Sequence, residues 1–221
     1  MSQAERGLAL LGLGSPGTQA GTLADLSIGA RDGALLSLRE AMFGAGIEGC
    51  ADCPACGETM ELNFSTHDLA SSTPRSDAPI ALAAEGYDVT LRRVTTRDLL
   101  ARDSGDARRG LLARCLIAAK QGETDVTAAA LPTPVIDAAS QALAKADPQA
   151  DIQLSIGCSA CGHGWQAPFD IVSYLWSELE SWAVRTLRDV HTLARAYGWR
   201  EADILAMSPA RRKFYLEMTA P

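Results

Sequence analysis

The chain has 221 residues, of which 47% are hydrophobic and 21% charged, and a formal charge of −7 from 20 Lys and Arg against 27 Asp and Glu. That length supports one or two domains with real hydrophobic cores; the balance excludes a largely disordered chain and argues against the broadly basic surface on which nucleic-acid affinity rests. No apolar run reaches the roughly 18 residues of a membrane span, and the short, glycine-broken stretch from Gly7 to Gly14, behind Glu5 and Arg6, makes a poor signal peptide, so a cytoplasmic protein is expected.

Residues 1–30 are rich in Gly, Ala, Leu and Thr without sustained periodicity and read as a loose N-terminal arm. From Arg31 to Phe43, Leu35, Leu36, Leu38, Met42 and Phe43 recur at helical spacing, and Gly44 with Gly46 ends the run. Cys53-Pro54-Ala55-Cys56-Gly57 follows, and then Thr59 to Phe64 alternates with Met60, Leu62 and Phe64 on one face, the period of a half-buried strand. Residues 65–79 read as a polar loop. Tyr87 to Val94 is a second strand, Thr96 offers an N-cap with Asp98 in the first turn of a short helix, and Asp103-Ser104-Gly105-Asp106 breaks it. A longer helix is expected from about Ala107 to Lys120. Another opens at Thr133-Pro134, faces inward through Val135, Ile136, Ala139 and Leu143, and closes at Asp147-Pro148.

Ile152, Leu154 and Ile156 then alternate in a strand that delivers the chain to Cys158-Ser159-Ala160-Cys161-Gly162, and Gly164 to Pro168 returns from it. From Phe169 to Tyr197, Val172, Leu175, Trp176, Leu179, Trp182, Thr186, Val190, Leu193 and Tyr197 step by threes and fours, which predicts a helix about 40 Å long. Gly198 ends it in the C′ position. A short helix carries Ile204 and Leu205, and Ser208-Pro209 caps a last one through Met218.

The six cysteines carry the chemistry. Each C-x-x-C-G unit has the form of a zinc knuckle, in which a tight turn converges two thiolates and the glycine supplies a positive φ. Together Cys53, Cys56, Cys158 and Cys161 make the closed tetrahedral set of one structural Zn²⁺ per chain. Cys53 and Cys158 stand 105 positions apart, against roughly 15 to 20 residues in a compact ribbon, so a folded insertion must separate the pairs. Metal-free thiols and a redox dithiol are the competing readings, the latter disfavoured because neither unit sits in a βαβ pattern. Cys50, three before Cys53, and His163, two after Cys161, are candidate substitute ligands; Cys115 falls on an apolar helical face and reads as core.

The fold class that follows is α+β and mostly helical. A small two-hairpin zinc ribbon, within a domain of residues 31–170, is split by a helical insertion of about 95–147, and a helical segment of 171–221 follows. Catalysis finds no support: none of His67, His163 and His191 belongs to a nucleophile motif, and no H-x-E or phosphate-binding glycine loop occurs. A zinc-ribbon nucleic-acid binder or regulatory protein is the alternative, resting on Arg195, Arg200, Arg211, Arg212 and Lys213 near Trp199, Phe214 and Tyr215. From Trp176 onward, however, seven basic residues meet six acidic ones, too balanced for a strong phosphate footprint.

Several segments resemble a known group. Cys53-Pro54-Ala55-Cys56-Gly57-Glu58, Val94-Thr95-Thr96-Arg97-Asp98-Leu99-Leu100, Cys158-Ser159-Ala160-Cys161-Gly162-His163-Gly164-Trp165 and, in the tail, Tyr197-Gly198-Trp199 with Arg211-Arg212-Lys213-Phe214-Tyr215 carry the likeness. They are similar to the zinc-knuckle proteins of contractile phage tails and phage-tail-like contractile injection systems, distantly similar to phage baseplate hub assembly chaperones. The resemblance implies structural or assembly work without catalysis, with tail baseplate or hub proteins as partners and no small-molecule substrate. In the tail, Trp199, Tyr215, Arg211 and Arg212 combine aromatic area with arginine, as recognition surfaces tend to.

Overall fold

The computed structural model describes residues 1–71, 76, 78–101 and 106–219, and the chain divides into two units, 1–173 and 174–221. The fold is α+β. Residues 1–30, expected as a loose arm, instead hold α1 (Gln3–Gly14) and α2 (Ala20–Ala24). The start of α1 is fixed by a capping box: the Glu5 N–H donates to Ser2 Oγ at 3.3 Å and the Ser2 N–H to the Glu5 carboxylate at 2.6 Å. Its glycines hid the helix from the sequence, and one of them lies on its buried face. A Cβ on Gly7 would meet Arg31 Cδ at 3.4 Å and Val172 Cγ2 at 3.5 Å, ordinary packing distances, so this position faces the interior without requiring glycine.

α3 (Ile28–Phe43) begins three residues before the expected Arg31, because Ser27 accepts from the Ala30 N–H at 3.2 Å. A second anion reinforces that end. Asp147, far along the chain, accepts from the Gly29 N–H at 2.9 Å, a carboxylate at the positive end of a helix. The approach requires glycine, since a Cβ there would lie 1.9 Å from Asp147 Oδ1 and 3.0 Å from Gln149 Cβ. Gly29→Ala is therefore expected to expel the Asp147 carboxylate and to destabilise the protein by about 2–3 kcal/mol in chemical denaturation. Gly12→Ala, where nothing lies within 4 Å, should be neutral or stabilising.

Next comes a hairpin of β1 (Gly46–Asp52) and β2 (Thr59–Ser65), running antiparallel from Gly46 opposite Ser65 to Asp52 opposite Thr59. The loop expected over 65–79 starts with one helical turn, α4 (Thr66–Leu69), behind a Ser65/Asp68 capping box; residues 72–75 and 77 lie outside the described residues.

The insertion holds the expected helices together with a sheet that the sequence reading missed in part. β3 (Ile80–Ala84), β4 (Tyr87–Leu91), β5 (Leu116–Gln121) and β6 (Thr124–Asp125) form an antiparallel sheet in that order. Glu85 and Gly86, at φ 52° and 77°, make the two-residue turn between β3 and β4. α5 (Thr96–Leu100) is capped by Thr95, one residue earlier than expected, with Asp98 closing the box. The helix expected over 107–120 ends at Cys115: α6 (Ala107–Cys115) gives way at Leu116 to β5. Leu116 to Ala119 suits either period, and pairing with β4, Val89 opposite Ala119 and Thr90 opposite Ala118, decides for the strand. Of the break at 103–106 only Asp106 is described, and it caps α6 by accepting from Arg108 N at 3.0 Å. α7 (Thr133–Ala146) buries Val135, Ile136 and Ala139 against Val89, Leu91, Leu112 and Leu131, the core of the insertion.

β7 (Ile152–Gly157) and β8 (Gly164–Phe169) form the second hairpin, and α8 (Ile171–Tyr197) follows as expected. Asp170 accepts from Val172 N at 3.1 Å at its start, and Gly198, at φ 69°, closes it by donating to Ala194 O at 2.9 Å. In the second unit α9 (Glu201–Leu205) and α10 (Pro209–Glu217) pack a small core of Val190, Leu193 and Ile204. Among the described residues no helix is long and apolar enough to cross a membrane.

Candidate metal centre

The two hairpins are built alike. In the first, Cys53 N donates to Glu58 O at 2.9 Å and Gly57 N to Cys53 O at 2.8 Å; in the second, Cys158 N donates to His163 O at 2.8 Å and Gly162 N to Cys158 O at 2.9 Å. Gly57 and Gly162 have φ of 77° and 74°, the left-handed conformation the turn needs. The correspondence extends along the strands at a constant offset of 105, from Ile47 and Ile152 through both cysteines of each pair to Phe64 and Phe169. Sequence reasoning compared only the C-x-x-C-G units and so missed β1, which the match of Ile47 to Ile152 would have found.

The hairpins meet through their inward faces. Met60 and Ile156 are buried with Cys53 and Cys158, Leu62, Leu154, Trp165 and Ala167 pack around them, and Phe64 meets Phe169 edge to face at 5.6 Å between ring centres. That contact brings Cys53, Cys56, Cys158 and Cys161 together, with all four Sγ atoms within 4.8 Å of one another. Cys53 Sγ lies 3.7 Å from Cys161 Sγ, and Cys56 Sγ 3.7 Å from Cys158 Sγ. A tetrahedron of sulfurs about 2.3 Å from a central Zn²⁺ has edges of about 3.8 Å, whereas a disulfide needs about 2.05 Å. The geometry fits a four-thiolate metal site and no disulfide.

The thiols of the cluster are shifted in opposite directions by their neighbours. N–H groups of Cys161 and Ala160 point at Cys158 Sγ and pull that thiol down to about 7 despite desolvation. At Cys56 the Glu58 N–H favours the thiolate, but the Cys161 and Cys53 sulfurs outweigh it and push the thiol up to about 12. Thiolates this close repel one another, and a divalent ion lets all four ionise together.

Neither proposed substitute ligand falls in the cluster. Cys50 is exposed on β1 opposite Glu61, and the His163 ring stacks on Trp165 at 6.2 Å and 14°. Cys115 is fully buried, and that burial pushes its thiol up to about 11. His67 is exposed and 3.7 Å from Glu40, and His191 is exposed on α8.

In the tail, Trp199 stacks on Tyr197 at 4.5 Å and meets Tyr215 edge-on at 4.9 Å, so both candidate recognition aromatics pack the short helices onto α8. Arg212, expected on the surface, is buried with Asp189 at 3.7 Å. The apolar side chains that α10 and its C-cap leave outward are Phe214 and Met218, about 60% and 61% exposed, on the side of Arg211. Their i, i+4 spacing could have shown this in the sequence.

Residues 16–176 match the family described as T4 bacteriophage base plate protein, well over half of the chain. The chain belongs to that family, and with it to the structural or assembly components of a phage baseplate. Both knuckles lie inside the matched span, which ends within α8. No curated protein and no solved structure matches the chain.

Proposed function

We propose that the chain is a non-enzymatic assembly or structural protein of a contractile-tail baseplate, its fold locked by one Zn²⁺ on Cys53, Cys56, Cys158 and Cys161. The family match over residues 16–176 carries this reading. Four thiolates would fill a tetrahedral ion and leave no position for substrate or an activated water, which supports a structural role for the metal. The nucleic-acid reading loses Arg212, which is buried against Asp189, and its remaining basic residues stand among nearly as many acidic ones. On this proposal the partners are baseplate or hub proteins met in the cytoplasm.

The part of the tail best suited to such a partner is the outward side of α10, where Phe214 and Met218 present apolar area beside Arg211. Phe214→Ser with Met218→Ser should leave thermal stability within about 0.5 kcal/mol of the parent, because both side chains face solvent. The same variant should lose co-purification with baseplate components and lower the yield of assembled particles. Normal particles from this variant would remove α10 as the contact. Normal particles after deletion of the whole gene would remove the assembly reading itself.

A further inference from the structure

α8 carries a second stripe that its own core does not use. Leu175, Thr186, Val190 and Leu193 are buried on one side of the helix. On the opposite side Ser177, Val184 and His191 recur every seven residues, with Glu180 and Ser181, then Leu187 and Arg188, between them, and all are exposed. At its centre Val184 and Leu187 are about 46% and 58% exposed. Such a pair on the back of a 27-residue helix that holds neither proline nor glycine has the spacing of one pair of heptad core positions.

We infer that this stripe docks against the same stripe of a second copy of the chain, with the two α8 helices antiparallel. The charges choose both the partner and its direction. The single acidic residue of the stripe, Glu180, lies toward the N-terminal end, whereas Arg188, His191 and Arg195 follow in the C-terminal half. A parallel pairing would set Glu180 beside Glu180 and Arg188 beside Arg188. The antiparallel pairing sets the Glu180 end of each helix against the end that carries Arg188 and Arg195 in the other, which a copy of the same surface satisfies twice across a two-fold axis.

The seam also fixes a register. With Val184 in one heptad core position and Leu187 in the other, Val184 of one copy meets Leu187 of the second, and the reverse, giving four apolar side chains at the centre. The adjoining layer on each side is then Glu180 against His191. Trp176 Nε1 donates to Glu180 Oε1 at 2.6 Å, which holds that carboxylate in place along the helix. Ser177 and Ser181 are small and let the backbones approach.

Sedimentation equilibrium of the full zinc-loaded chain tests this. The parent should pass from monomer to dimer as its concentration rises to about 0.1 mM. Leu187→Glu should remain monomeric with its helical circular dichroism unchanged. Glu180→Lys should weaken the dimer by about tenfold, and Glu180→Lys combined with His191→Glu should restore most of that loss. A parent that stays monomeric at that concentration, a dimer that survives Leu187→Glu, or a double reversal that restores nothing would each overturn the pairing. The two charge variants alter exposed positions only, so the test stands even if Leu187→Glu fails to fold.

Discussion

On the proposed zinc site, a strong chelator is expected to separate the two hairpins and lower Tm by roughly 10 °C or more, while the helical circular dichroism of α8 persists. A two-stranded hairpin is marginal by itself in water. Here the two are joined by little beyond Met60, Ile156, their partly buried neighbours and the Phe64–Phe169 contact. An ion on four thiolates would tie segments more than a hundred positions apart, and such sites contribute on the order of 10 kcal/mol in small zinc fingers. The effect should be smaller in this chain, because the insertion and the second unit have cores of their own. Metal analysis of the purified protein should give about one Zn²⁺ per chain. Replacing Cys53, Cys56, Cys158 or Cys161 by Ser should abolish it; Cys50→Ser and Cys115→Ser should not, since neither residue lies in the cluster. A Cys53→Ser variant that keeps a full equivalent of zinc would show that the four sulfurs do not act as one site.

Local chemistry was readable where a few residues decide a conformation. The paired C-x-x-C-G turns and the long three-and-four stepping of α8 each rest on side chains within one or two turns of one another, whereas the cap read at Thr133 falls one residue earlier, at Pro132, with no side-chain bond. What was not readable depends on partners distant in the chain. β5 has the composition of a helix and becomes a strand because β4 offers Val89 and Thr90 as partners. β3, Ile80-Ala81-Leu82-Ala83-Ala84, has small residues at its outward positions and so shows only a weak alternation until β4 pairs with it. α1 was hidden by its glycines, one of which, Gly7, packs on its buried face. Arg212 was misplaced for a related reason: a charge reads as surface until a partner such as Asp189 gives it a buried position. At the cluster, spacing suggested four cysteines, but the choice of Cys53 over Cys50 becomes geometric only when β1 turns Cys50 away to the outer face.

Asp98→Ala is expected to cost about 2–3 kcal/mol, because it removes a buried carboxylate and leaves Arg92 and Thr95 without their acceptor. Its carboxylate is almost completely buried and accepts four hydrogen bonds, from Arg92 Nη1 at 2.7 Å and Nη2 at 2.8 Å, and from Thr95 N at 2.9 Å and Oγ1 at 2.8 Å. The same few residues hold the start of the insertion to the N-terminal helices. Arg92 Nη2 also donates to Arg114 O at 2.9 Å, Ile28 N donates to Val94 O at 3.0 Å, and Arg97 pairs with Asp25 at 2.6 Å. Burial opposes the charge on Asp98, but Arg92 and Thr95 outweigh it and hold the carboxyl at about 2, below its ordinary 3.8. Because the folded value is the lower one, the contribution is complete above about pH 3.8 and is lost as the pH falls toward 2. Asp98→Asn, which keeps the shape and loses the charge, should therefore differ most from the parent at about pH 5 and progressively less in more acidic buffer, as denaturant titrations would read it. A gap between parent and Asp98→Asn that stays constant down to pH 2 would mean that the carboxylate charge is not what Arg92 and Thr95 hold.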